Sequence, residues 1–421
     1  MNVSKEIQVS IMLGDSTLPV GKLWFHNRKG RQGASFEYSR EWLANPERFA
    51  LEPALMLTEG SFHTNEKQLL FGAMGDSAPD RWGRLLMQRA NDTGRALTEL
   101  DYLLGVHDES RQGALRFSRD DGVYLAPGGQ QIIPPLVKLP QLLSASEKFL
   151  ENKAMAQELR MLLLPGSSLG GARPKASVID KDGTLAIAKF PRKDDDTDIV
   201  RWEAAALTLA KSAGINVSKW RLETILGKPV LIVKRFDRTG GERIPFLSAM
   251  SMLGASDNDG QIHSYIDMAN ALQQYGGQPD RDRHELWRRM IFTIMISNTD
   301  DHLRNHGFLY HAGRGWSLSP AYDLNPNVEK KIFATAINYT GAQNTIELAL
   351  QNKDAFNLSE NQAKGILNEV KTAVANWKKV AKSLGIAKGN IERMKPAFCN
   401  EVLKKQGGFS YLYCIGEKYD K

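Results

Sequence analysis

The strongest chemical signal in this sequence is a polar segment, Ser297–Gly307, which carries two carboxylates, imidazoles and amides. The apolar residues just before it recur at helical spacing, so a buried helix is predicted to deliver the segment. Within the segment Asp300 precedes Asn305 by five residues, and Asp323 follows Asn305 after eighteen more. Carboxylate and amide oxygens can accept a proton or bind a divalent cation, which makes this segment a candidate catalytic loop.

Phosphoryl transfer from ATP requires such a set of groups. One carboxylate orients or deprotonates the acceptor hydroxyl, and further oxygen ligands hold magnesium. The spacing of five selects Asp300, and not its neighbour Asp301, as the base, with Asn305 and Asp323 as the metal ligands. Asp and Asn also cap turns in ordinary polar loops, so a purely structural interpretation of this segment stays open.

A second candidate region is the glycine- and serine-rich stretch Leu164–Lys175, whose backbone amides could wrap phosphates. Gly166 and Gly171 have the glycine spacing of a Walker A loop, but Ala172 stands where the lysine of that loop must be. The glycine pattern of protein kinases is absent as well. The alternative is a flexible lead-in to the hairpin that follows.

Lys189 lies in an apolar predicted strand, Thr184–Phe190, where an unpaired ammonium is costly. Kinases place a lysine in such a strand to hold the ATP phosphates, and they pair it with a glutamate on the next helix. Glu203 lies on the next predicted helix. A lysine pointing outward from an edge strand and a glutamate on an exposed helix face are the alternatives.

The elements that would position these residues follow from local patterns. Alternation and turn residues predict strands at Ile7–Leu13, Val20–His26 and Ala34–Tyr38, and later hairpins of Ala176–Ile179 with Thr184–Phe190, Trp220–Ile225 with Val230–Val233, and Gly307–His311 with Trp316–Leu318. Helices are predicted from Ser77, over about 144–164, from Asp194–Asp198 to Gly214, and from Ser359 to Gly385, where Ser359 and Gln362 form a capping box.

Length and composition set the class of protein. A chain of 421 residues with 42% hydrophobic and 24% charged residues exceeds one core and is expected to fold into two or three domains. The only two cysteines exclude a disulfide framework and a cysteine zinc cluster. The first residues are charged and no apolar run reaches a membrane span, so neither a signal peptide nor a membrane contact is expected, and a cytoplasmic protein is.

The net charge of +7 has a single location. Residues 361–421 hold twelve basic and five acidic side chains, and they therefore account for the whole excess. A basic end of this kind can contact nucleic acid, or it can be a solvated lysine-rich helical surface.

The order of these parts resembles the HipA-type serine/threonine kinase toxins over nearly the whole chain. The most specific matches are Ser168–Lys175, Val233–Arg238, Asn298–Asn305 and Pro320–Asp323, with Phe71–Arg84 and Arg111–Phe117 similar to the family's amino-terminal subdomain. The resemblance implies an α+β, protein-kinase-like fold of two lobes. Prolines near 125–145 place a boundary, which suggests a HipA-like amino-terminal subdomain (1–135), a small lobe (136–240) and a helical catalytic lobe (241–421).

The resemblance also implies roles for single residues. Lys189 would hold the ATP phosphates, Asp300 would be the base, Asn305 and Asp323 would hold Mg²⁺, and His302 would support the phosphate site. Nucleotide contacts would come from the loop residues Ser168, Gly170 and Gly171 and from the hinge residues Lys234, Phe236 and Asp237, with Asp237 near the ribose. The alternative for Arg235–Arg238 is a surface cluster of salt bridges. Asp301 is an extra acid that could alter the preferred acceptor or simply be exposed.

The implied function is an ATP- and Mg²⁺-dependent serine/threonine protein kinase that acts as the toxin of a toxin–antitoxin pair. Its expected partners are a helix-turn-helix antitoxin and an aminoacyl-tRNA synthetase as substrate. Autophosphorylation of Ser168, or of the adjacent Ser167, would disfavour the phosphate-binding conformation of the loop and switch the enzyme off. Two other functions stay open, a DNA-bound co-repressor partner of an antitoxin and a small-molecule phosphotransferase.

Overall fold

The structure is a computed structural model that describes residues 5–28, 31–65, 68–119, 123–124, 133–166, 171–257, 259–330, 332–341 and 343–398. Contacts between Cα atoms divide the chain into two compact units. Unit 1 comprises Met1–Lys193, Glu223–Asp259 and Phe308–Gly313, and unit 2 comprises Asp194–Leu222, Gly260–Gly307 and Arg314–Lys421. The predicted division at 135 and 240 stays a prediction.

The strands of the described residues are β1 (Lys5–Leu13), β2 (Ser16–Arg28), β3 (Arg31–Tyr38), β4 (Ser61–His63), β5 (Leu115–Ser118), β6 (Lys175–Ile179), β7 (Leu185–Lys189), β8 (Trp220–Ile225), β9 (Lys228–Lys234), β10 (Arg238–Thr239), β11 (Glu242–Arg243), β12 (Phe246–Ser248), β13 (Gly307–His311) and β14 (Gly315–Leu318).

The α-helices of the same residues are α1 (Arg40–Ala44), α2 (Gly72–Gly75), α3 (Arg81–Ala90), α4 (Glu99–Gly105), α5 (Leu139–Leu150), α6 (Ala156–Gly166), α7 (Ile199–Ser212), α8 (Ala249–Met252), α9 (Tyr265–Tyr275), α10 (Pro279–Met295), α11 (Ile346–Gln351), α12 (Glu360–Val374), α13 (Trp377–Ser383) and α14 (Lys388–Phe398). None of these helices combines the length and the apolar character that a membrane crossing requires.

The first sheet of unit 1 has five strands in the order β4-β3-β2-β1-β5. Its first three strands confirm the predictions from alternation, because Ile7, Val9 and Ile11 are all buried on one face. The strands extend beyond the predicted ones, since the alternation weakens at their ends before the pairing does.

The predicted helix start at Ser77 is wrong by three residues. Asp80 is the N-cap of α3, and its carboxylate accepts a hydrogen bond from Gly83 N at 2.9 Å. The Ser77 hydroxyl instead donates to the carbonyl oxygen of Ala73, because residues 72–75 already form the short helix α2.

The second sheet of unit 1 has the order β6-β7-β9-β8 and confirms both predicted hairpins. Its buried alanines and Val178 pack with α5 and α6 in one apolar core. The single helix predicted over 144–164 is wrong. The chain there forms α5 and α6, and Asn152 adopts a left-handed φ of 59° between them.

The helices of unit 2 surround the buried helix α10 and the packed pair α12 and α7. The capping box of Ser359 and Gln362 is confirmed, but the helix that it starts ends at Val374 and α13 begins at Trp377. Val370, Val374 and Trp377 are buried, so the apolar stripe belongs to the core.

Candidate active site

The polar segment Ser297–Gly307 leaves the end of α10, whose residues Met290 and Ile294 are fully buried. Ser297 turns the chain with a left-handed φ of 50°, and its hydroxyl donates to Ala397 O at 2.9 Å. Asn327 N donates to Ser297 O at 3.1 Å. The predicted delivery of a polar loop by a buried helix is therefore what the structure shows.

The two adjacent aspartates of this segment have opposite environments. The side chain of Asp300 is 60% exposed, whereas Asp301 is 3% exposed and accepts hydrogen bonds from Tyr265 Oη and from His306 Nε2, the latter at 3.0 Å. Burial disfavours a charge on Asp301, but His306 and Tyr265 outweigh it and hold the pKa of that carboxyl below its usual range. Thr335 Oγ1 donates to Asp301 O at 2.6 Å.

Asp301 is therefore a structural residue of the loop. The idea that it is exposed is wrong, and a direct effect on the acceptor finds no support in its contacts. Only the tertiary structure brings Tyr265 to this carboxylate and Thr335 to the backbone carbonyl of Asp301, so the sequence could not separate the two aspartates by environment.

The exposed carboxylate of Asp300 has one partner that the sequence did not reveal. Lys330 Nζ lies 2.7 Å from Asp300 Oδ1, and both side chains are more than half exposed. Lys330 lies thirty residues further along the chain, and no spacing or motif marks it. Such an exposed ion pair is weak and can exchange for another partner of the carboxylate.

Asn305 ends a single 3₁₀ turn, Leu303–Asn305, and its side chain is directed back to the candidate base. Its amide nitrogen donates to Asp300 O at 3.1 Å, while its own backbone N–H donates to His302 O at 2.8 Å. Because the amide nitrogen is engaged, the amide oxygen is the atom that remains to bind a cation.

Asp323 follows β14 and adopts a left-handed φ of 58°. The neighbouring Tyr322 donates its hydroxyl to Arg304 O at 2.6 Å, which ties this segment to the residue just before Asn305. The structure thus brings Asp300, Asn305 and Asp323 into one region of unit 2. A non-glycine residue in this conformation costs about 1 kcal/mol or more, and such strain is commonly found at functional sites.

The donor set fits magnesium. Within the described ranges no group of three or more His, Cys, Asp or Glu residues could hold a metal ion. Mg²⁺ nevertheless needs only one or two protein oxygens, because water and substrate phosphates complete its octahedral shell. The Asp323 carboxylate and the Asn305 amide oxygen are hard donors of that kind.

His302 is half-buried, and its Nδ1 atom is buried with no hydrogen-bond partner in the described part of the chain. A buried polar atom that lacks a partner is uncommon, and a bound polar group or an ordered water commonly satisfies such an atom. The implied role of His302 beside phosphate stays a prediction.

The two residues predicted to hold and orient phosphate lie on different units. Lys189 ends β7 in unit 1 and is half-buried, and Glu203 on α7 in unit 2 is buried. The alternative of an exposed Glu203 is therefore wrong. The pairing of Lys189 with Glu203 stays a prediction.

The glycine-rich stretch is described only in part. Ser167, Ser168 and Gly170 lie outside the described residues, so their predicted roles are not placed. Gly171 is described and has a φ of 98°, a conformation that favours glycine.

In the hinge segment 234–238, the side chain of Asp237 is buried and ion-paired within the protein. This carboxylate is 2% exposed and is bound by Arg235 Nε at 2.8 Å, by Arg238 Nη1 at 2.8 Å and by Gly113 N at 2.8 Å. Burial disfavours its charge, but the two guanidinium groups outweigh it and hold the pKa of Asp237 well below its usual range.

Both oxygens of Asp237 thus accept hydrogen bonds within the protein, and its implied place near the ribose stays a prediction. The alternative of a surface cluster is wrong, because Arg235 and Asp237 are both buried. Lys234 and Phe236 are half-buried, and Lys234 Nζ lies 3.8 Å from Asp182. Their predicted backbone contacts with adenine stay predictions.

Comparison with known proteins gives this arrangement a family. The model of the HipA-like C-terminal domain matches residues 167–377, half of the chain. The chain belongs to the HipA-like C-terminal domain family, which confirms the resemblance in the sequence.

Two curated relatives are similar to this chain. A Haemophilus influenzae protein named "Putative kinase" is 24% identical over 209 residues, 44% of this chain and 58% of that protein. The chain thus spans less than two thirds of that relative. A Sinorhizobium fredii protein named "Putative kinase Y4mE" is 25% identical over 345 residues, 73% of this chain and 77% of that protein.

The fold also has a solved counterpart. HipA of Shewanella oneidensis MR-1, from a toxin–antitoxin complex with HipB and operator DNA, superposes with a TM-score of 0.66 at 16% identity and covers 92% of this chain and 94% of that one. The predicted α+β, HipA-type kinase fold is confirmed.

Proposed function

We propose that this protein is an ATP- and Mg²⁺-dependent serine/threonine protein kinase, the toxin of a toxin–antitoxin pair. The observation that carries the proposal is the contrast inside the loop. Asp300 presents an exposed carboxylate, Asp301 anchors the loop, and Asn305 is bonded to the backbone of Asp300. Family membership and the names of the relatives support a kinase.

In the proposed reaction Asp300 accepts the proton of the acceptor hydroxyl as that oxygen attacks the γ-phosphorus of ATP. The bond between the γ-phosphorus and the oxygen that bridges it to the β-phosphate breaks, and ADP leaves with that oxygen. Lys330 occupies one acceptor position of Asp300 Oδ1, and exchange of this exposed ion pair would free that position for the acceptor hydroxyl. Lys189 neutralises phosphate charge, with Glu203 as its partner, and His302 donates to the phosphate group. Mg²⁺, held by Asn305 and Asp323, would neutralise the phosphate oxygens when bound together with ATP.

The nucleotide is proposed to contact Ser168, Gly170 and Gly171 through its phosphates, and the backbone of Lys234 and Phe236 through its adenine. Ser168, or Ser167, is proposed as the site of autophosphorylation. A dianion there would repel the ATP phosphates from the same loop.

The proposed partners follow from the family. A helix-turn-helix antitoxin is supported by the HipA–HipB–DNA complex of the Shewanella protein. An aminoacyl-tRNA synthetase is the proposed substrate class, and the cytoplasm the proposed location. DNA contact would be secondary and made through the antitoxin.

The test is transfer of labelled γ-phosphate from ATP to lysate proteins by the full chain. We expect Asp300→Asn and Asp323→Asn each to abolish transfer and to relieve any growth arrest. Asp354→Asn is a matched control, because this carboxylate is 82% exposed and lies in the same unit. Undiminished transfer by both variants would refute the assignment.

The same assay separates the other functions. Transfer to small alcohols and not to proteins indicates a small-molecule phosphotransferase. Operator binding with an antitoxin, without any transfer, indicates a co-repressor. Phosphoproteomics after brief expression of wild type beside Asp300→Asn identifies the substrate and the autophosphorylated serine together.

A further inference from the structure

The first turn of α3, in the amino-terminal part of unit 1, contacts the chain where the glycine-rich stretch enters β6. We name residues Gly171–Lys175 the loop exit. Trp82 N donates to Gly171 O at 3.4 Å, and Trp82 Nε1 donates to Lys175 O at 3.0 Å. Lys175 Nζ lies 3.3 Å from Asp80 Oδ2. Trp82 thus contacts both ends of the loop exit, Gly171 and Lys175, and Asp80 contacts Lys175 as well.

These contacts are buried. Lys175 is 3% exposed and Trp82 is 1% exposed, and the indole of Trp82 packs edge-on against Phe149 with ring centroids 5.2 Å apart. A buried ammonium needs a nearby carboxylate, and Asp80 supplies it. The position of that carboxylate is itself set, because its other oxygen caps α3 through Gly83 N.

The register of the sheet connects this contact to the proposed nucleotide site. Lys175 on β6 is directly opposite Lys189 on β7, so both side chains project from the same face of the sheet. The next backbone contact continues the pairing, since Phe190 N donates to Pro174 O at 3.0 Å. The loop exit therefore lies beside the lysine proposed to hold phosphate.

We propose that Asp80 and Trp82 are positioning residues for nucleotide binding. Asp80 compensates and directs the ammonium of Lys175, and Trp82 fixes the backbone of the loop exit, so the phosphate-binding loop ends in one defined place. Both act through the loop exit and not by touching the nucleotide. The inference rests on the proposed function, because it assumes that the chain binds ATP.

The test compares the equilibrium affinity of the full chain for a fluorescent ATP analogue with its melting temperature. Asp80→Asn keeps the cap, because Asn caps helices as well as Asp does, but it removes the charge that faces Lys175. We expect its affinity to fall on the order of tenfold, as for loss of one charge-assisted contact, and its KM for ATP to rise more than its kcat falls. Asp80→Glu, which restores the charge, should recover part of the affinity.

Two further variants keep the test decisive. Trp82→Phe preserves most of the packing but deletes the indole N–H, and it too should weaken the binding of the ATP analogue. Thr98→Ala is the matched control, since it removes the cap of α4 in the same unit without a contact to the loop exit, and it should lower only stability.

The possible failures are distinguishable. If wild type does not bind the analogue, the proposed function fails. If wild type binds and both Asp80→Asn and Trp82→Phe bind equally well, the positioning role is refuted. If Asp80→Asn does not fold, Trp82→Phe decides by the same criterion.

Discussion

The candidate catalytic loop of unit 2 (Ser297–Gly307) and the hinge segment of unit 1 (234–238) are both rich in charged residues, but the folded protein gives these charges different environments. The loop buries Asp301 and leaves Asp300 exposed beside Lys330. The hinge segment buries Arg235 and Asp237 together, and the guanidinium of Arg235 also donates to Ser110 O at 2.6 Å.

The difference distinguishes a carboxylate that is accessible for a reaction from a carboxylate that stabilises the fold. A charge with every hydrogen-bonding site engaged inside the protein stabilises a fold, whereas a carboxylate that reacts must keep an oxygen accessible. Asp108 is also buried and ion-paired, since its Oδ2 lies 2.7 Å from Arg116 and 2.9 Å from Arg243. Asp300 differs from these buried carboxylates, because its side chain is 60% exposed.

The largest effect is expected at the pair Asp300 and Asp301. Asp300→Asn should lower phosphate transfer by about a thousandfold or more, within the range for loss of a general base, with an unchanged melting temperature. Asp301→Asn should lower the melting temperature, because it removes the charge that faces His306. Assays of rate and melting for both variants check this. If Asp301→Asn loses phosphate transfer but keeps its melting temperature, Asp301 is needed for the reaction and its assignment as a structural residue is wrong.

In the hinge segment, Asp237→Asn should lower the free energy of unfolding by about 3–5 kcal/mol, because Arg235 would stay buried, and Arg238 half-buried, without the Asp237 counter-charge. Urea denaturation measures it. Asp182→Asn is the control, since this exposed carboxylate lies 3.8 Å from Lys234 and its loss should change stability by less than about 1 kcal/mol. Equal effects of the two variants on the free energy of unfolding would show that the buried Asp237 contributes no more to stability than the exposed Asp182.

Glu52 is a buried carboxyl that differs from both the exposed Asp300 and the ion-paired Asp237, because a backbone N–H binds it. Its Oε2 accepts from Ala73 N at 2.6 Å, and burial, with Asp76 nearby, raises its pKa to about 7. Because its pKa is near 4.5 in the unfolded chain, the folded protein binds the extra proton, and stability should fall as pH rises from about 4.5 through 7.

Glu52→Gln removes this titration. The variant should match wild type near pH 4.5 and exceed it by about 3 kcal/mol near pH 8, which melting curves across pH measure. A constant difference between the two proteins at all pH values would contradict the assignment.

The smallest effects are expected on the basic surface of unit 2. Lys378, Lys379 and Lys382 lie on or beside α13, and each change to Glu should alter stability by less than about 0.5 kcal/mol. We expect the salt dependence of duplex DNA binding, with or without an antitoxin, to stay unchanged in the triple variant. A shallower salt dependence would show that these lysines touch phosphate.

Several elements could be predicted because their signals are local. The hairpin of β6 and β7 has its turn glycine at Gly183, with a φ of 79°, and the capping box at Ser359 needs only residues three apart. The loop spacing of Asp300 and Asn305 is local too. The start of α3 was misplaced because Ser77 and Asp80 offer competing caps, and only the presence of α2 decides between them.

The order and spacing of the chain alone define its family, its α+β class and the residues proposed for chemistry, because these depend on short-range patterns. Tertiary packing alone buries Asp301 and Asp237, brings Lys330 to Asp300, and places Asp80 against Lys175. The physical reason is that the environment of a charge depends on its burial and on every group that folds next to it, including groups from about thirty to more than a hundred residues away.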